Sequence, residues 1–239
     1  MKTDNYVRQV AENFRFDVND GWGNENSMIL QGFGMLLKKR DNEYVRKVFG
    51  NVLQQISYDR KYAGIASFYE MENGEVEVKD RIKELMTALN KNFDNEDDEM
   101  SLVFYTKYET KLGGKEHYQD VMNRYKAAAS KEEKNNAYFL TAVIEGIDSI
   151  DQAIYEYYDG LKKLFKSTLK DFLEDDEQDE TDKALAAYAI LKACRLKVIL
   201  SEKYEQIGMK LYDEVMENAD SKDINHGAVV MLIAEKMLH

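Results

Sequence analysis

The chain has 239 residues, of which 44% are hydrophobic and 33% charged, and its formal net charge is −12. That length and balance suit one globular domain spanning residues 1–239 with a sizeable core, and they exclude the low-hydrophobicity composition of a disordered chain. The negative charge repels both a nucleic-acid backbone and an anionic membrane, and no basic patch offsets it, so neither is expected as a partner.

Proline is absent, so nothing breaks a helix by ring clash or a missing N–H, and loops must be punctuated by Gly, Asn and Asp. The opening residues MKTDNYVRQV have no apolar signal region, and no stretch approaches the ~18 apolar residues of a membrane span. The expected address is cytoplasmic.

Apolar residues recur at helical spacing from the start, which predicts helices over 4–14, 24–39 and 42–56. Gly21-Trp22-Gly23-Asn24-Glu25-Asn26, before the second helix, holds the only tryptophan between two glycines. Such a rigid aromatic is either a sugar-stacking platform or a core anchor. Residues 57–78 lack the helical period and carry aromatic and β-branched residues around Gly64 and Gly74, the composition of a small hairpin or a loop over the helical array.

Helices follow over 79–92, 97–111 and 116–128. The acidic cluster Asp94, Glu96, Asp97, Asp98 and Glu99 precedes the helix that opens near Met100. Carboxylates there are helix caps in the plain reading and a general acid or cation site in the sharper one. The D-x-D-x-D-G order of an EF-hand is missing.

The next helix, 132–148, carries Phe139, Leu140, Val143, Ile144 and Ile147 on one face, behind Ser130 and Glu133 at capping-box spacing. Over 151–174 the run Leu161, Leu164, Phe165, Thr168, Leu169 and Phe172 repeats the period. The acidic stretch 174–182 reads as a solvated linker with Asp179 or Thr181 as a cap.

Helices over 181–199, 202–218 and 225–238 complete the chain, the middle one marked by Tyr204, Ile207, Leu211, Tyr212 and Val215. Cys194, the only cysteine, lies in the apolar run ALAAYAILKACRLKVIL and reads as a buried structural thiol. His117, His226 and His239 lie at no ligand spacing from one another or from the cysteine, so no metal site is expected, and no cofactor. Short links between consecutive helices make them antiparallel neighbours. The fold class is therefore all-α, a toroid of antiparallel helical hairpins.

Several segments taken in order resemble a known family. Trp22 to Leu37, with Asn26 and the following Asn42-Glu43-Tyr44-Val45, is similar to its early aromatic-Glu-Asn-Gly helix and the tyrosine-bearing helix after it. Asp97 through Met100, Phe104 and Tyr108 to Leu112-Gly113-Gly114-Lys115 and Tyr118 resembles a helix opened by Trp-x-Asp-x-x-aromatic-Met. Lys134-Asn135-Asn136-Ala137-Tyr138-Phe139 resembles Arg-Gly-Asn-Gly-Trp-Phe, and Thr181 to Arg195 resembles Ser-Gly-x-Ala-Met-x-x-Tyr-Ala-Leu-Leu-Lys. His226-Gly227 and the closing helix fit the family's end.

The family is that of the unsaturated uronyl hydrolases, the rhamnogalacturonyl and glucuronyl hydrolases of glycoside hydrolase families 88 and 105. The resemblance implies a reduced (α/α)6 barrel and a small anionic oligosaccharide as substrate. Asp97 or Glu96 would protonate the vinyl-ether double bond of an unsaturated uronic acid; water then adds and the hemiketal collapses. Lys134 would hold the substrate carboxylate, Trp22 and Tyr138 would stack on the sugar, and Asn26 would add a polar contact.

The departures are equally specific. The motif's Trp and the family's active-site His have no counterpart, and Lys134 and Tyr138 replace its Arg and Trp. The other reading is therefore a catalytically degenerate relative that acts as a carbohydrate-binding or protein-interaction scaffold. Whether copies of the chain associate is left open by the sequence.

Overall fold

The computed structural model describes residues 2–15, 25–55, 80, 83, 86, 87, 99–131, 135–221 and 223–239. Ten helices are defined among them, and no strand: α1 (Lys2–Asn13), α2 (Glu25–Lys39), α3 (Glu43–Gln55), α4 (Glu99–Lys111), α5 (Tyr118–Ala129), α6 (Asn136–Ser149), α7 (Tyr155–Leu173), α8 (Glu180–Arg195), α9 (Ser201–Asn218) and α10 (His226–Leu238). The all-α expectation holds for these residues. The hairpin or loop expected over 57–78 lies outside them, and of the helix expected over 79–92 only residues 80, 83, 86 and 87 are described, all helical.

The chain divides into two compact units, residues 94–220 and residues 1–93 with 221–239. In the first, burial sorts the helices into two kinds. Residues 139–147 of α6 and 184–194 of α8 are buried without interruption, as are 101–106 of α4. A helix hydrophobic on every side belongs inside a packed array. In contrast, α5 and α7 bury one face each, through Tyr118, Val121, Met122, Tyr125 and Ala128 and through Leu161, Phe165, Thr168, Leu169 and Phe172.

Contacts fix the directions. Asn135 meets Asp182, the Thr141 hydroxyl reaches the Leu185 carbonyl, and Glu145 meets Tyr188 and Lys192. Positions rise together along both helices, so α6 and α8 run parallel. In the outer layer Tyr118 meets Tyr157, and a Cβ on Gly160 would touch Met122, so α5 and α7 also run parallel.

Neighbours in sequence are antiparallel. Asn218 bonds Glu180 at one end of the α8–α9 pair, and Gly208 lies against Ile190 and Leu191 further along. Thr110 bonds Tyr118 and Thr106 bonds Tyr125 across α4 and α5. The unit thus alternates inner and outer helices along the chain, as hairpins with short links do.

The second unit repeats the logic with both ends of the chain. Residues 28–34 of α2 and 227–235 of α10 are buried throughout. A Cβ on Gly227 would stand 2.4 Å from the Glu25 carbonyl oxygen and 2.5 Å from the Met28 Cβ, and one on Gly32 would stand 2.7 Å from Val230. These two glycines bring α2 and α10 together in parallel, at a spacing no side chain would allow. Tyr6 on α1 reaches His226 Nδ1 at 2.6 Å, and Arg8 lies over the Tyr44 ring at 4.6 Å, linking α1 to α10 and to α3.

Capping departs from the sequence reading at one place. Ser130 does not open α6; it closes α5, its N–H bonding the Lys126 and Ala127 carbonyls. Asn135 caps α6 instead, its Oδ1 accepting from the N–H groups of Ala137 and Tyr138. The expected Asp179 cap of α8 is present as a capping box with Asp182.

Gly227→Ala is expected to cost about 3 kcal/mol, since its methyl would strike backbone that cannot yield. Hydrogen exchange should show the lost protection in α2 and α10.

Candidate functional site

None of Asp97, Glu96, Trp22 and Lys134 is among the described residues. Asn26 stands at the start of α2, its Nδ2 donating to the Arg15 carbonyl at 3.3 Å. Tyr138 is half-buried in the first turn of α6. These two belong to different units.

Around Tyr138 the parallel course of α6 and α8 brings two helix starts to one end. Asn135 bridges them: while its Oδ1 caps α6, its Nδ2 donates to Asp182 Oδ1 at 2.9 Å. Burial raises the Asp182 pKa from its ordinary value; the Asn135 hydrogen bond opposes this, and Asp179 and Asp175 add to it. Thr181 is buried beside Asp182. The next side chain of α6, Asn136, has its Oδ1 buried without a hydrogen-bond partner among the described residues.

Deeper between the same helices sits a cluster that sequence reading missed. Glu145 of α6 is 2% exposed and Lys192 of α8 is 3% exposed, and the Lys192 ammonium donates to Glu145 Oε1. Tyr188 O–H donates to the same oxygen, Lys107 of α4 approaches Oε2 at 3.4 Å, and Lys192 also pairs with Asp148 at 2.8 Å.

Burial on its own would raise the Glu145 pKa, but the charges of Lys192 and Lys107 and the hydrogen bonds from Lys192 and Tyr188 outweigh it and hold it at about 2. Burial likewise works against the Lys192 charge, yet Glu145 and Asp148 keep its pKa above the ordinary lysine value. Both groups are ionised at neutral pH, so neither changes its protonation state there. The cluster is suited to holding helices together and unsuited to acid–base chemistry.

A third polar centre closes α4. Glu109, 2% exposed, accepts from the His117 backbone N–H at 3.3 Å and faces His117 Nδ1 at 3.2 Å. A Cβ on Gly113 would fall 2.6 Å from that carboxylate, and Gly114 and Lys115 take positive φ of 74° and 68°. The Gly113-Gly114 pair is thus a turn built around a buried acid. Lys115 then pairs with Asp151, whose N–H donates to the Tyr118 hydroxyl at 3.0 Å.

Cys194 is 3% exposed, and burial raises its thiol pKa, the inert state expected of a structural cysteine. No group of three or more His, Cys, Asp or Glu among the described residues could hold a metal ion. No helix among them is long and apolar enough to cross a membrane.

The signal for the missed cluster lay in two lone charges. Glu145 and Lys192 are each a single charge inside an otherwise apolar helical run, and opposite charges so placed satisfy each other's burial. Comparison of the chain with protein-family models, with curated proteins and with solved structures gives no match.

Lys192→Met leaves Glu145 short of its main partner and is expected to destabilise the chain by about 3–5 kcal/mol, while adding Glu145→Leu should restore most of that loss. Chemical denaturation of the two single variants and the double variant measures the coupling. Because the folded Glu145 pKa is depressed to about 2, its contribution is present above the unfolded value of about 4.3 and fades as pH falls toward 2. The double variant should lack that acid-side component.

Proposed function

We propose that the chain is a catalytically degenerate relative of the unsaturated uronyl hydrolases, a reduced (α/α) toroid of antiparallel hairpins that serves as a carbohydrate-binding scaffold. The observation that carries this reading is the Asn135–Asp182 bridge at 2.9 Å. Aligned on the two segments of resemblance, Asn135 and Asp182 both stand where the family has glycine. Two side chains replace two hydrogen atoms at the common end of α6 and α8. They tie the helix starts to each other, and they bring a carboxyl group to the end where a uronate would need a cation.

Two further features agree with it. Tyr188 and Lys192 fall on the Tyr-Ala-Leu-Leu-Lys part of the resemblance, and both are spent on Glu145 inside the array. The surface around the Asn135–Asp182 end is acidic, with Asp175, Asp179 and Glu180 on the connection into α8 and its first residues, so an anionic sugar is repelled.

The second reading is retained hydrolysis of small unsaturated uronides with Asp97 or Glu96 as acid. The acidic cluster Asp94, Glu96, Asp97, Asp98 and Glu99 favours it, since neighbouring carboxylates raise one another's pKa, the condition a general acid needs.

Incubation with lyase-generated unsaturated disaccharides, followed through the ultraviolet absorbance of the conjugated double bond, separates the two. The scaffold reading expects no decay, together with a change in Trp22 fluorescence when a saccharide binds. A decay that Asp97→Asn or Glu96→Gln abolishes would overturn it in favour of the hydrolase.

A further inference from the structure

Leu200 is 67% exposed, as is Tyr155, and no other large apolar side chain among the described residues is more so. The Tyr155 hydroxyl reaches Asp159 at 3.5 Å, whereas a leucine gains nothing from water. Leu200 also stands at the N-cap of α9, where it offers no side-chain acceptor to the N–H groups of the first turn. A serine there would suit the isolated chain on both counts.

The exposed leucine opens a stripe. Packing of α9 against α8 runs along Gly208, which lies against Ile190 and Leu191, and the buried Val215. At about 100° per residue, Leu200, Tyr204, Ile207 and Leu211 lie roughly 40–100° round the helix from Gly208, all on the same side. Tyr204, Ile207 and Leu211 are only partly buried. Their spacing alternates between steps of four and three, the seam of a coiled coil, which a second helix fills with knobs of its own.

Charge along the stripe states what that helix carries. Lys203 and Lys210 border it on the side away from α8 and are exposed, and Lys203 Nζ lies over the Tyr204 ring at 4.7 Å. Lys197 is exposed in the link before Leu200. Glu214, the acid on the same border, pairs with Lys210 at 3.6 Å and approaches Lys183 at 3.9 Å. Glu202, Glu205 and Asp213 lie round the other way, roughly 60–140° from Gly208 on its opposite side. In a chain of net charge −12, this border has the sign that attracts carboxylates. A second copy fits it poorly: antiparallel pairing that seats Leu200 on Leu211 and Tyr204 on Ile207 sets Lys203 of each copy beside Lys210 of the other.

We propose that the flank of α9 from Leu200 to Leu211 docks an amphipathic helix of a protein partner, one with an apolar seam and acidic residues along its edge. The inference is independent of the carbohydrate-binding reading and uses none of its residues. The partner's apolar side chains cover the stripe, and its carboxylates meet Lys203, Lys210 and Lys197. At 1.5 Å per residue the stripe is about 16 Å long, a small contact, so the affinity is of micromolar order and weakens with salt.

The test uses the full chain and a fluorescein-labelled peptide of about three heptads with leucine at a and d and glutamate at e and g, whose like charges keep it from pairing with itself. Anisotropy should show the peptide binding the parent. Leu200→Ser should weaken binding about tenfold or more while raising the melting temperature of the chain alone by about 2–4 °C, because serine supplies the missing cap. Lys203→Glu with Lys210→Glu should also weaken it about tenfold or more, whereas the same charge change on α7, Lys166→Glu with Lys170→Glu, should leave it within about twofold. The proposal fails if the peptide does not bind, if Leu200→Ser binds it as well as the parent does, or if the two charge-reversed variants lose affinity equally. A melting temperature lowered by Leu200→Ser would place Leu200 in the packing of the chain itself and overturn the docking role. Sedimentation of the chain alone is the last arm: a dimer that Leu200→Ser abolishes would give the face to a second copy and reject the acidic partner.

Discussion

The structure depends on one constraint: its inner helices are buried on all sides, so apolar packing alone does not tell them how to align. A helix with a single apolar stripe has its rotation set by that stripe. Residues 139–147 of α6 and 184–194 of α8 have no exposed side, and slipping one past the other by a turn would exchange one apolar surface for another. The polar contacts remove that freedom. Asn135–Asp182 at one end, Thr141 on the Leu185 carbonyl in the middle and Glu145 with Tyr188 and Lys192 beyond all belong to one register. A slip in either direction would break all of them and leave Thr141, Glu145 and Lys192 in apolar surroundings.

In the unit containing the termini the same problem is met by shape. Gly227 and Gly32 let α2 and α10 approach until backbone meets side-chain root, and only one register places both glycines opposite bulk. His226 then carries bonds to two helices, its ring to Tyr6 of α1 and its N–H accepted by Glu25 of α2 at 2.8 Å. The chain's two ends are held by these contacts.

Legibility in the sequence followed the same division. The outer helices could be read well: of the run predicted for α7, Leu161, Phe165, Thr168, Leu169 and Phe172 are buried, because one face against a core is what a period of 3.6 encodes. The inner helices were recognised as helices but not as inner ones. Phe139, Leu140, Val143, Ile144 and Ile147 read as a stripe, yet Thr141, Ala142, Glu145 and Gly146 are buried with them. A glutamate or lysine in such a run looks like the exposed side of an amphipathic helix until its partner, 47 residues away, is known to lie opposite. The stripe of α9 misled in the other direction. Of Tyr204, Ile207, Leu211, Tyr212 and Val215 only Val215 is fully buried, since periodicity reports which face is apolar and not how completely it is covered. Cap chemistry was ambiguous for a simpler reason. Ser130 and Asn135 both suit a helix start, and only the end of α5 decides between them.

The buried polar groups divide into those answered by the chain and those with no partner among the described residues. Glu145, Lys192 and Glu109 are buried and matched by partners of the same chain, and half-buried Asp182 is matched by Asn135. They specify register and need no ligand to explain them. Among the described residues Gln31, and Asn136 through its Oδ1, stay unmatched, which is unfavourable relative to an apolar side chain of similar size. The contacts that align α6 with α8 thus set the register of the inner helices from within the chain, and apolar burial stabilises the register they select.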